Sequence, residues 1–161
     1  MKNPLLLWSR CGLVVLAFAL ANCAGASFNR DFAAAVAARE SGEGAKDPVA
    51  GPWTGTWKSH VNGHHGDLRC LVSKSEKNAD DIEGEPYDFR YHATWGSWFR
   101  GGFSATFGVK EDGRRGYRAD GKKDLGPFGS FQHEGWIKDD SFEATYASDM
   151  GDHGVFEMKR P

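Results

Sequence analysis

The chain has 161 residues, with 20 Lys and Arg against 22 Asp and Glu, and is 40% hydrophobic and 13% aromatic. That size supports one modest domain around a single core. Its mildly acidic, mixed charge excludes the basic profile of nucleic-acid binders and of polybasic membrane segments, so no nucleic-acid partner is expected.

Residues 1–26 read as a secretory signal. Lys2 and Arg10 flank an apolar start, an unbroken apolar run extends from Cys11 to Ala21, and small residues follow. A basic n-region, an h-region of about 7–15 residues and a small-residue exit are the parts of an export signal. The run is shorter than the ~20 residues a membrane-spanning helix requires. Two exits are open. Leu20-Ala21-Asn22-Cys23 resembles the bacterial lipobox, in which signal peptidase II cuts before a diacylated cysteine; Asn22 departs from the Gly, Ala or Ser usual at that position. The resemblance implies a lipid anchor on Cys23, and Ala24 in place of Asp implies an outer-membrane or surface destination. The other exit, Ala24-Gly25-Ala26, is an A-x-A site that frees Ser27 as the first residue. Either exit places the protein in the bacterial cell envelope, lipid-anchored at the outer membrane or free in the periplasm. Losing Lys2 and Arg10 takes the net charge from −2 to −4. Of the three cysteines, Cys70 remains, with Cys23 only if it is lipidated. No structural disulfide is expected, and Cys70, within Leu68-Arg69-Cys70-Leu71-Val72, reads as a small buried hydrophobe.

Residues 27–40 read as a short helix. Phe28, Phe32 and Val36 fall at helical spacing, alanines surround them and Ser27 suits an N-cap. The stripe is expected to pack on the following domain rather than on a partner. Residues 41–51 have linker composition. From residue 52 to 161 the period changes to two. Trp53, Gly55, Trp57, Ser59 and Val61 share one strand face, and Asn62-Gly63 begins a turn. Asp67–Lys74 is the return strand. Phe89, Tyr91, Ala93 and Trp95 form the next inward set, and Phe103, Ala105, Phe107 and Val109 the one after. Tyr117–Asp120 is a weaker strand. In Gly129–Lys138, Phe131 and Ile137 share one face and Trp136 the other, with the register left open. Phe142, Ala144 and Tyr146 alternate next, and Val155–Arg160 closes the chain. About eight short strands between Gly, Asp and Asn turns are the pattern of an up-and-down antiparallel barrel or a sandwich; the all-β barrel, preceded by the short helix, is the expectation.

Gly51-Pro52-Trp53 and Gly55-Thr56-Trp57 both resemble the G-x-W that opens the first strand of calycins, the lipocalin, fatty-acid-binding and avidin group. The resemblance spans about Gly51 to Arg160. It implies that Arg160 stacks over Trp53 or Trp57 to close the barrel floor, a favourable cation–π arrangement. The chain is shorter than a typical lipocalin and lacks the lipocalin disulfides.

No pattern reaches the strength of a catalytic signature, and no cofactor is expected. His60, His64 and His65, with Asp67 and with His153 in the last turn, are weak metal candidates, because an antiparallel meander brings both turns to one end; no H-E-x-x-H or C-x-x-C spacing supports them. The paired acids sit in turn composition, and neither Gly96-Ser97-Trp98 nor Gly129-Ser130-Phe131 makes a nucleophile elbow. Residues 113–123 are locally basic. The first expectation is a non-catalytic binding barrel that holds a small apolar or amphipathic ligand among Trp57, Phe89, Tyr91, Trp95, Phe103, Phe107, Phe131 and Tyr146. The second is a structural or interaction lipoprotein of the envelope, its barrel filled by the same aromatics. A metal-assisted hydrolase at the histidine end is a remote third.

Overall fold

The computed structural model describes residues 25–43, 46–76, 82–96, 99–124, 126 and 129–161. The signal, its lipobox and Cys23 therefore lie outside the described residues, apart from Gly25 and Ala26. Helix α1 occupies 25–40. Eight strands follow: β1 (Gly51–Ser59), β2 (His65–Lys74), β3 (Glu85–Trp95), β4 (Phe99–Glu111), β5 (Tyr117–Asp124), β6 (Ser130–Lys138), β7 (Ser141–Ser148) and β8 (His153–Lys159). Every strand pairs antiparallel with the next, and β8 returns to β1 through Thr54↔Lys159 to Ser59↔Gly154, so the barrel is closed.

Alternation builds this ring. In β7, Phe142, Ala144 and Tyr146 are buried while Ser141, Glu143, Thr145 and Ala147 are exposed. In β8, Gly154, Phe156 and Met158 are buried, and in β6 the inward set is His133, Gly135 and Ile137. Period-two burial fixes register, because a one-residue slip would turn each apolar set outward. Closure depends on two glycines of the β1–β8 seam, Gly55 opposite Met158 and Gly154 opposite Ser59. A Cβ at Gly55 would run into the Glu157 carbonyl, and one at Gly154 into the Lys58 carbonyl.

Some boundaries differ from the sequence reading. β1 ends at Ser59, so Val61 falls in the turn and is exposed. β2 begins at His65 and β5 runs to Asp124. The sequence reading stops short because the polar ends, His65-Gly66 and Gly121–Asp124, show no apolar alternation; cross-strand pairing holds them instead. β4 pairs β3 along Phe99–Val109 but meets β5 only over Gly108–Glu111.

α1 packs its apolar stripe on the outside of β2 and β3. Phe28 and Phe32 are buried, and burying each contributes about 1.5–3 kcal/mol. Phe28 stacks 5.2 Å from His92, and the Arg69 guanidinium lies 5.2 and 5.4 Å from the Phe28 and Phe32 rings. Arg69 also donates to Asn29 at 2.8 Å, Arg90 pairs with Asp31 at 2.9 Å, and Arg39 at the other end of the helix reaches Asp140 at 2.9 Å.

Candidate functional site

One end of the barrel is a sealed floor. The Arg160 guanidinium lies 3.6 Å from the centre of the Trp53 ring. It donates to the Pro48 and Ala50 carbonyls at 2.8 Å each and to the Pro52 carbonyl at 3.4 Å. Trp53 is fully buried and donates its indole N–H to the Val49 carbonyl at 3.0 Å. The Asp47 carboxylate accepts from the Val49 and Ala50 amides at 2.8 and 2.9 Å and from the Tyr87 hydroxyl at 2.9 Å. Residues 46–50, expected as linker, are thus strapped across the barrel end, with Val49 buried. Their composition resembles a linker because the bonds to Arg160 and Trp53 come from the Pro48, Val49 and Ala50 carbonyls, which leave no side-chain signal, and Asp47 alone contributes side-chain bonds. Gly51 makes room: its φ is +114°, and a Cβ there would sit 2.8 Å from Arg160 Nη1. Desolvation first, then the nearby Arg39, pull the Arg160 pKa down to about 10. The group stays charged at neutral pH, held by carbonyls and the indole face.

The middle of the barrel is filled by aromatic rings around one residue that the sequence reading passed over, His133. Its ring stacks on Phe107 at 4.6 Å, and Phe89, Tyr91, Phe142 and Phe156 surround it at 5.9–6.2 Å. His133 is buried and its Nε2 meets the Tyr91 hydroxyl at 2.9 Å. With the hydroxyl donating, the ring proton is assigned to Nδ1, which has no hydrogen-bond partner. Burial dominates and pulls the His133 pKa down to about 4, against the opposing pull of the Ala119 carbonyl, which favours the charged ring. Cys70 stands opposite Tyr91 across the β2–β3 ladder, free and fully buried. Burial holds its thiol well above the ordinary range. A protonated thiol and a neutral imidazole sealed among rings make a poor nucleophile and a poor general acid. The signal for His133 was available: Phe131, His133, Gly135 and Ile137 alternate, and this places one histidine on an otherwise apolar face.

The far end carries the rest of the expected ligand set. Phe89, Tyr91 and Phe107 belong to the filled middle, whereas Trp57, Trp95, Phe103, Phe131 and Tyr146 lie toward the turn between β1 and β2. Trp57 donates to the Thr94 carbonyl at 2.8 Å and packs 5.5 Å from Trp95, which is 40% exposed. Phe103 stacks on Tyr91 at 4.9 Å, and Phe131 lies 6.2 Å from Tyr146. Phe103 and Phe131 are only partly buried. Asp152 ties the end together, accepting from Ser59 at 2.6 Å and from Tyr146 at 3.2 Å. Burial first, then Asp152, raises the Tyr146 pKa to about 12.

The two histidine turns do lie at this same end. His60 donates its amide to the His153 carbonyl at 2.9 Å, and the two rings meet edge to face at 5.9 Å. His64, His65 and Asp67 are exposed and do not join them. Among the described residues, no group of three or more His, Cys, Asp or Glu is placed to hold a metal ion. The basic stretch 113–123 is split by its strand: Arg114 and Arg115 sit at the floor end, Lys122 and Lys123 toward the far end, and Arg118 pairs with Glu134 at 2.7 Å. Two surface depressions lie outside the ring. One of about 740 Å³ is lined by Arg114, Arg115, Trp136 and Lys138 with neighbouring acids, and one of about 470 Å³ lies between α1 and the start of β1. No protein family, curated protein or solved structure matches the chain.

Proposed function

We propose that the chain is an exported, calycin-like envelope protein, lipid-anchored through Cys23, whose barrel is a non-catalytic binding module for a small apolar or amphipathic ligand. The observation that supports this is the asymmetry of the ring. The floor is sealed by Arg160, Trp53 and the 46–50 strap, while the far end presents Trp95, Phe103 and Phe131 partly uncovered. The ligand sits at that end rather than at depth, because the middle is occupied by Phe89, Phe107, His133 and Phe142. Those same rings favour a second reading, a filled structural barrel without a ligand.

Native mass spectrometry of protein taken from its own envelope separates the two. A bound small molecule that is lost on Trp95→Ala and Phe131→Ala supports the binding module; bare protein supports the filled barrel. Anchoring is tested with Cys23→Ser. After a high-salt wash, the variant is expected in the soluble fraction and the unaltered protein in the membrane. A variant that stays in the washed membrane refutes the anchor.

A further inference from the structure

Four arginines far apart in sequence meet around the start of α1. Arg30 projects from the helix with 79% of its side chain exposed. Arg69, Arg90 and Arg100 come from β2, β3 and β4 on the outer face that the helix covers, and His92 lies among them, 3.5 Å from Arg69. Burial first, then the Arg69 and Arg100 charges, push the His92 pKa down, which marks how close these cations stand. The acids on this face are Asp31, bound by Arg90 at 2.9 Å and 3.5 Å from Arg30, Asp67, and Asp88, which accepts from the Thr106 hydroxyl at 2.6 Å, so the four arginines outnumber them by one. Trp95, the largest exposed aromatic among the described residues, is not on this outer face but opens at the neighbouring barrel mouth at the end of β3, its ring packed on the inner side against Trp57 and close to Gly101. The chain enters beside the arginines. Gly25 faces His92, and Cys23 stands two residues earlier in the sequence.

We propose that this face, formed by α1 and the outer sides of β2, β3 and β4, docks the domain onto an anionic lipid surface. The proposal extends the anchoring reading, since a lipid at Cys23 would tether the chain beside these cations. The processed chain carries a net charge of −4, so attraction to an anionic bilayer has to come from a local patch. The chemistry suits headgroups: arginines pair with lipid phosphates, and an amphipathic indole at the neighbouring mouth settles at the interface. Docking this way brings the Trp95 mouth beside the bilayer, so an amphipathic ligand is taken from lipid.

The test uses the Cys23→Ser chain, so it does not depend on acylation. The chain is co-sedimented with vesicles of phosphatidylcholine alone or mixed with phosphatidylglycerol. Binding is expected only with phosphatidylglycerol and is expected to fall with salt. Each neutralised arginine is expected to weaken binding about fivefold, so Arg30→Gln with Arg100→Gln costs about 25-fold. Arg114→Gln with Arg115→Gln, at the floor end, is expected to change little. Equal binding to both vesicles, or equal losses from the two pairs, overturns the proposal. So does Arg30- and Arg100-dependent capture of soluble dextran sulfate without vesicle binding, which would assign the face to an anionic polysaccharide.

Discussion

Acidification should strike the barrel through His133. In the folded protein its pKa is about 4, against an ordinary value of 6.5. The folded-state value is the lower one, so between these limits the unfolded chain binds more protons. Stability therefore falls as pH falls from about 6.5 to 4, and this contribution levels off below that. At 1.36 kcal/mol per pKa unit, the loss approaches about 3 kcal/mol by pH 4, with about half gone near pH 5.5. That is a large share of the ~5–15 kcal/mol that holds a domain of this size. The assay is urea unfolding at several pH values, run in parallel on His133→Phe. Phe removes the titrating ring and keeps an aromatic plate against Phe107. Carboxylates such as Asp47, held below the ordinary range by its Val49, Ala50 and Tyr87 hydrogen bonds despite burial, also lose stabilising power in acid. They do so equally in both proteins, and so cancel in the difference. The stability lost between pH 7 and pH 4 should be smaller in the variant by about 3 kcal/mol. Identical losses in the two proteins would refute the assignment of His133 as a neutral, buried group.

Three other outcomes follow from the geometry. Arg160→Ala removes the cation over Trp53 and strands three carbonyls, so it should lower stability by about 3 kcal/mol, with Arg160→Lys recovering less than half; chemical denaturation measures both. Gly55→Ala should lower stability by more than about 2 kcal/mol, because the new methyl strikes the Glu157 carbonyl at the β1–β8 seam. Gly63→Asn, in an open turn at φ +72°, should be nearly silent by comparison. Cys70 should resist alkylation in the folded protein and react once urea unfolds it, as read by peptide mass mapping; rapid labelling of the native state would contradict its burial.

The ring was legible because its signal is local. Alternation in Trp53–Ser59, Phe89–Trp95 and Phe142–Tyr146 names the inward faces one strand at a time, and Gly and Asp mark the turns. The stripe of Phe28 and Phe32 was legible for the same reason, with a period of 3.6. The floor strap was not. Its bonds run from Arg160 to backbone carbonyls more than a hundred residues away, and Pro48 and Ala50 carry no side-chain signal for that role. The contact between Tyr91 and His133 was hidden similarly, since it crosses the barrel between β3 and β6. The four arginines near α1 come from widely spaced stretches, and no short window of sequence holds more than Arg90 and Arg100 together. Conversely, the basic run 113–123 suggested a patch that β5 pulls apart.

The short seam between β4 and β5 has a consequence of its own. Four residue pairs join these strands, fewer than at any other junction of the ring. A hoop parts at its weakest stave. Amides along this junction should exchange with solvent ahead of those of β1–β3, and a ring that unzips here becomes a curved ribbon with two bare edges. Each edge fits the complementary edge of another copy, so the route by which the domain loosens is also its route to strand-swapped assemblies at high concentration.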